Sequence, residues 1–154
     1  IGSQPKLSKE NICEEIDKTI SYLRARLSKK ITLEFDHPKD EIIVYLNKQL
    51  FSWSLENIIK NGIDSIKESG VVKISVTKAD ENLNIYISDN GIGVKKSLKN
   101  KIFKPGVTTK ERGWGLGLSL SKRIIEEYHK GEIKLIDSIV GQGTKMLIKL
   151  KVVK

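Results

Sequence analysis

The chain has 154 residues, 38% hydrophobic and 31% charged, with a formal net charge of +9. That length and composition suit one ordinary soluble globular domain with its own core, and no apolar run approaches the roughly 20 residues that a bilayer-spanning helix needs. A single cysteine, Cys13, excludes an internal disulfide, and with two histidines it argues against a structural zinc centre.

Residues 7–29 read as a helix, because Ile12, Ile16, Ile20, Leu23 and Leu27 recur at helical spacing. Ile31 to Phe35 alternates like a half-buried strand, His37-Pro38-Lys39-Asp40 reads as a turn, and Ile42 to Leu46 as a second short strand. Asn47 suits the N-cap of a helix from Lys48 to about Lys67, with Leu55, Ile59, Ile63 and Ile66 as its apolar stripe. Residues 71–78 and 83–88 read as a hairpin, 94–102 as a short helix and 104–114 as irregular. Leu116 to Lys130 reads as a helix with Leu120, Ile124 and Tyr128 four apart and Gly131 as its stop. Two strands follow, 132–137 and 145–152, around Gly141-Gln142-Gly143. The expected fold is a two-layer α/β sandwich: one mixed sheet covered by helices on one face. No secretory signal is visible, so a cytoplasmic setting is expected. Ile1-Gly2-Ser3 reads as a remnant ahead of an excised domain.

The charge is unevenly spread. Residues 95–112 hold seven basic side chains against Glu111, a net +6, and the rest of the chain carries only +3. Such a segment is either a solvated basic loop or a mobile stretch drawn to polyphosphate. The lysines lack interleaved aromatics, so nucleic acid is a poor fit.

Three groupings stand out along the chain. Asn57 and Asn61 lie four apart on a helix and share a face, with Asp64 following on a similar side. That is either a plain polar face or a source of hard oxygen ligands for a cation such as magnesium. Asp89 closes a strand and runs into Gly91 and Gly93. The string is either a turn or a strand-end carboxylate facing a flat heterocycle. Gly113, Gly115 and Gly117 run into a helix start, where free N–H groups attract anions. Their spacing is neither the dinucleotide fingerprint nor a P-loop.

Taken in order, the asparagine helix, Asp-x-Gly-x-Gly, a phenylalanine-containing stretch, Gly-x-Gly-x-Gly-Leu and Gly-x-Gly-Thr resemble the catalytic ATP-binding domain of bacterial sensor histidine kinases. These belong to the superfamily shared with gyrase, Hsp90 and MutL. The resemblance covers about residues 31–152. It implies the Bergerat ATP-binding fold, a mostly antiparallel sheet with helices on one face, and ATP and Mg²⁺ as cofactors. It implies that Asn61 binds magnesium, that Asn57 faces the nucleotide, and that Lys60 reaches phosphate. Asp89 would accept from the adenine amino group, with Gly91 and Gly93 beside the base. Phe103 would anchor an ATP lid at about 95–114, Gly113, Gly115 and Gly117 would hinge it and cradle phosphates, and Leu118 would join the binding site. Thr144 would support the adenine end, and Lys110 and Arg112 are candidates for phosphate contact. Residues 1–30 would lead from a dimerisation domain into the ATP-binding domain at 31–154. Gly62 departs from the alanine usual in the family, which loosens the helix slightly.

No phosphoacceptor is apparent. His37 precedes Pro38 in a turn, and His129 sits at a helix end, so both are expected to be structural. Asn57 stands where the superfamily's ATPases carry a glutamate base for water, which favours a kinase, although Glu56 lies next to it. The expected function is transfer of the γ-phosphate to a histidine on a separate dimerisation domain of the same protein, with a response regulator downstream. This domain itself is expected to be monomeric, without direct membrane or nucleic-acid contact. Alternatives are an ATPase or serine kinase of the superfamily, or a regulatory nucleotide-binding or docking domain without turnover.

Overall fold

Apolar spacing sets where the helices lie in the computed structural model, which describes residues 4–104 and 114–154, the stretch 114–117 as backbone only. Helix α1 (Ile12–Arg24) buries Ile12, Ile16 and Ile20 completely and Leu23 nearly so. Helix α2 (Lys48–Asp64) buries Phe51, Leu55, Ile58 and Ile59. Asn47 caps it as expected, its Oδ1 accepting from the Leu50 N–H at 3.0 Å. Helix α3 (Trp114–Arg123) runs into a π-helical turn over Ile124–Tyr128.

The strands are β1 (Ser8–Asn11), β2 (Ile31–Asp36), β3 (Ile43–Leu46), β4 (Gly70–Ala79), β5 (Asn82–Asp89), β6 (Glu132–Ile139) and β7 (Gly143–Lys151). Five of them form one sheet in the order β2-β4-β5-β7-β6. β2 and β4 are parallel and the other pairs antiparallel. Inward residues of the central strands (Val72, Ile74 and Val76; Leu83, Ile85 and Ile87; Met146, Ile148 and Leu150) recur at every second position, as a sheet with one covered face requires. The expected two-layer sandwich with a mixed, mostly antiparallel sheet is the fold observed. Among the described residues no helix is long and apolar enough to cross a membrane.

Several local expectations change. Residues 8–11 form a strand, not the start of a helix, because Ser8-Lys9-Glu10-Asn11 pairs antiparallel with β3. α1 ends at Arg24, whose guanidinium donates to the Leu33 carbonyl at 2.7 Å and ties the helix end to β2. α2 stops at Asp64 rather than near Lys67. The segment within 94–102 is a 3-10 helix, Lys96–Lys101. Leu120 is 42% exposed, and the buried face near it is Leu118, Ser121 and Ile125. The residue with left-handed backbone at the end of this helix is Lys130 (φ 57), not Gly131. Gly131 serves close packing instead, since a Cβ there would overlap the Lys149 carbonyl oxygen on β7. The irregular stretch expected at 104–114 falls almost wholly outside the described residues.

Candidate active site

A cavity opens between α2, α3 and the ends of β5 and β7. Ile58, Ile87, Val94, Ile102, Leu118 and Met146 form its apolar walls, and Gly62, Asn61, Asp89 and Thr144 complete it. Strand periodicity accounts for much of this set. Asp89 lies two residues beyond Ile87 on β5 and Thr144 two before Met146 on β7, so each pair shares the covered face. Asp89 and Thr144 are also register partners across the two strands.

The carboxylate of Asp89 is held from behind. Its Oδ1 accepts from the Gly91 N–H at 2.9 Å and lies 3.1 Å from the Ser65 hydroxyl, whose one proton it shares with the Gly62 carbonyl at 2.7 Å. Ser65 is 1% exposed and also accepts the Ile92 N–H at its own carbonyl, at 3.0 Å. Gly91 packs so tightly on Ser65 that a Cβ would overlap that side chain. Gly93 adopts φ +76 with its α-carbon against the Ile139 carbonyl, a backbone state that favours glycine. The Asp-x-Gly-x-Gly string is therefore a rigid shelf attached to the end of α2.

Asn57 and Asn61 share a face of α2, as their spacing requires, and are half-buried. The buried Nδ2 of each finds no hydrogen-bond partner among the described residues. A buried donor left unmade costs about 1–3 kcal/mol, and Ser54 and Asn84, outside the cavity lining, carry unpartnered buried oxygens as well. Ser65, one turn beyond Asn61, continues this face, and Asp64 is exposed. Reading on by four from Asn57 and Asn61 reaches Ser65, the signal by which sequence could have found it. Lys60 is outside the cavity lining and pairs with Glu56 at 2.8 Å. Phe103 is packed against the core beside Ile102, with the Lys122 ammonium 5.1 Å from its ring centre. Gly115 and Gly117 fall in the first turn of α3, and Leu118 (4% exposed) reaches the cavity. Lys110, Arg112 and Gly113 lie outside the described residues.

Residues 48–154 match the family of histidine kinase-, DNA gyrase B- and HSP90-like ATPases. The chain belongs to that family. Among curated proteins it is 30% identical to the nitrogen regulation protein NtrY of Azorhizobium caulinodans, over 96% of this chain and 20% of that protein. It is 39% identical to sporulation kinase D of Bacillus subtilis, over 72% of this chain and 22% of that one. The chain thus spans about a fifth of the length of these relatives. The solved catalytic domain of histidine kinase ThkA superposes with a TM-score of 0.84 at 26% identity, covering 95% of each chain. The fold is that of a histidine-kinase-type ATP-binding catalytic domain.

Two titratable groups lie off the cavity in this kinase domain. Burial pushes the Cys13 thiol up, which leaves it a packing residue. Burial pushes the His129 imidazole down, against the pull of the Ile124 carbonyl. Its Nδ1 lies 3.0 Å from that carbonyl, and its Nε2 accepts the Asn47 N–H at 3.1 Å. The neutral Nδ1–H tautomer satisfies both contacts, and a second proton would set two donors against each other.

Proposed function

We propose that this chain binds Mg-ATP and transfers the γ-phosphate to a histidine on a separate dimerisation domain of the same protein, which passes it to a response regulator. The observation that carries this reading is the Asp89 carboxylate, braced by Gly91 and Ser65 in an apolar cavity opposite Thr144. A fixed acceptor between Ile87, Val94 and Met146 suits the amino edge of adenine, with the side chains packing on the ring. The family alone leaves the base contact unassigned; the braced carboxylate supports assigning it to Asp89.

The amides of Asn61 and Asn57 fit the phosphate end. Each offers one hard oxygen and one N–H donor group, and their buried Nδ2 atoms lack partners among the described residues. Asn61 would hold Mg²⁺, and Asn57 would meet a phosphate oxygen. When bound, Mg²⁺ would neutralise charge on the phosphates. Lys110, Arg112, Gly113, Gly115 and Gly117 would supply the lid side, with Phe103 at its base. Lys60 would meet phosphate only on leaving Glu56.

In the transfer, a histidine nitrogen attacks the γ-phosphorus while the bond from phosphorus to the bridging oxygen breaks toward ADP. The imidazole is already a nucleophile, so no base has to activate water. Glu56, ion-paired to Lys60, is correspondingly ill-suited to that base role. A kinase therefore accounts for these residues better than an ATPase. The domain would act in the cytoplasm, monomeric by itself.

Asp89→Asn should weaken ATP binding roughly 10- to 100-fold, from loss of one charged hydrogen bond, and Asn61→Ala should remove the Mg²⁺ dependence of binding. Calorimetry measures both. Unchanged ATP affinity in Asp89→Asn would sink the site assignment. Absence of labelled phosphate on the full-length protein's dimerisation domain, with steady phosphate release instead, would sink the kinase reading.

A further inference from the structure

Ser138 is a buried hydroxyl, 2% exposed, to which the chemistry above gives no task. It faces inward because of one inserted residue. In the β6–β7 ladder Leu135 opposes Met146 and Asp137 opposes Lys145, so Ile136 opposes nothing on β7. A bulge of this kind reverses the alternation of the side chains beyond it. Ile133 and Leu135 face the helices before the bulge; after it Ser138 does, while Asp137 and Ile139 turn outward.

One oxygen then joins two walls of the cavity. Ser138 Oγ accepts the Val94 N–H at 2.7 Å and lies 2.8 Å from Thr144 Oγ1, with the Gly143 carbonyl at 3.3 Å. Val94 and Thr144 both line the cavity. We infer that Ser138 is a positioning residue for the adenine end of the nucleotide site, acting through Val94 and Thr144; this rests on the ATP reading above. Its oxygen fixes the spacing between the shelf that ends at Val94 and the β7 wall. Its single proton also sets the polarity of Thr144. Donated to Gly143, it leaves Thr144 donating to Ser138 and offering lone pairs to the cavity. Donated to Thr144, it leaves the threonine proton for the ligand.

The test combines Ser138→Ala, Thr144→Val and the double variant. In ligand-free protein the Val94 amide should exchange roughly tenfold faster in Ser138→Ala, having lost its acceptor. ATP affinity should fall roughly tenfold. Thr144→Val should weaken binding in the wild type and add little in the Ser138→Ala background, because a residue acting through Thr144 is coupled to it. A role in folding alone would give additive losses. Unchanged Val94 exchange and unchanged affinity, or strict additivity, overturns the inference. Wild-type protein that binds no ATP overturns the nucleotide reading instead, since the exchange experiment uses no nucleotide. Ser138→Cys, near in size but a weak acceptor, carries the same measurements if the alanine variant does not fold.

Discussion

Gly143 is where backbone leaves least room near the site. It adopts φ +128, and a Cβ there would overlap the Asp89 carbonyl oxygen. Two strands meet closely at that point, and neither can retreat without moving Asp89 or Thr144. Gly143→Ala should therefore destabilise the fold by about 3 kcal/mol or more, strain and overlap together, and urea denaturation would measure it. Gly62 is a milder case. A Cβ would lie 3.3 Å from Asp89 Oδ2 and 3.5 Å from a Val72 methyl, close but without backbone overlap. The glycine that sequence reads as loosening α2 is also what lets the helix approach the carboxylate. Ser138 is invisible at this scale, and Ser65 shows only through its four-residue spacing from Asn61. A serine near a helix end or before a turn reads as local capping, and only the folded chain shows their hydroxyls meeting Asp89 and Val94.

Elements are joined by buried polar contacts as well as by the core, and His129 is the clearest joint. It links the end of the π-helical turn to the Asn47 cap of α2, 82 residues away in sequence, and packs edge-on to Phe51 with ring centres 6.3 Å apart. Because its pKa is lowered in the folded state, the unfolded chain binds the extra proton first. The contribution is complete above the ordinary histidine value of about 6.5 and is lost as pH falls below it. Unfolding free energy should thus decline from pH 7.5 to pH 5, and that part of the slope should vanish in His129→Gln; denaturant melts across the range would reveal it. The long periodic elements were legible beforehand: α2 with its Asn47 cap, and the β4–β5 hairpin turning at Asp80 and Glu81. β1 was not, because four polar residues carry no alternation and their partner strand lies some 35 residues on. The π-helical turn was not either, since one extra residue per turn shifts the buried face without altering composition.

At the scale of the whole molecule, α1 is part of the core and not a detachable leader. Ile12, Ile16 and Ile20 are wholly buried in the same cluster as Ile59, Ile74 and Ile148. A fragment beginning at residue 31 would expose that cluster. It should lose cooperative thermal unfolding and bind a hydrophobic dye, whereas residues 4–154 should melt in one transition; a sharp calorimetric transition in the fragment would show the core closes without α1. The order of the motifs made the cavity legible at this scale, because Asn61, Asp89, Leu118 and Thr144, far apart along the chain, all line it. The bulge at Ile136 has a consequence beyond the cavity. β6 is an outer strand of the sheet, with Ile136 and Ile139 each 46% exposed and Val140, just beyond its end, 63%. A straight apolar border of that kind offers its free N–H and C=O groups to the same border of another copy. The unpaired residue breaks the regular spacing of those groups and twists the border, so two copies cannot zip together along it. Removing Ile136 would leave Asp137 opposite Lys145 and Ser138 opposite Thr144, so the inward contacts would survive while the border straightened into a seed for aggregation.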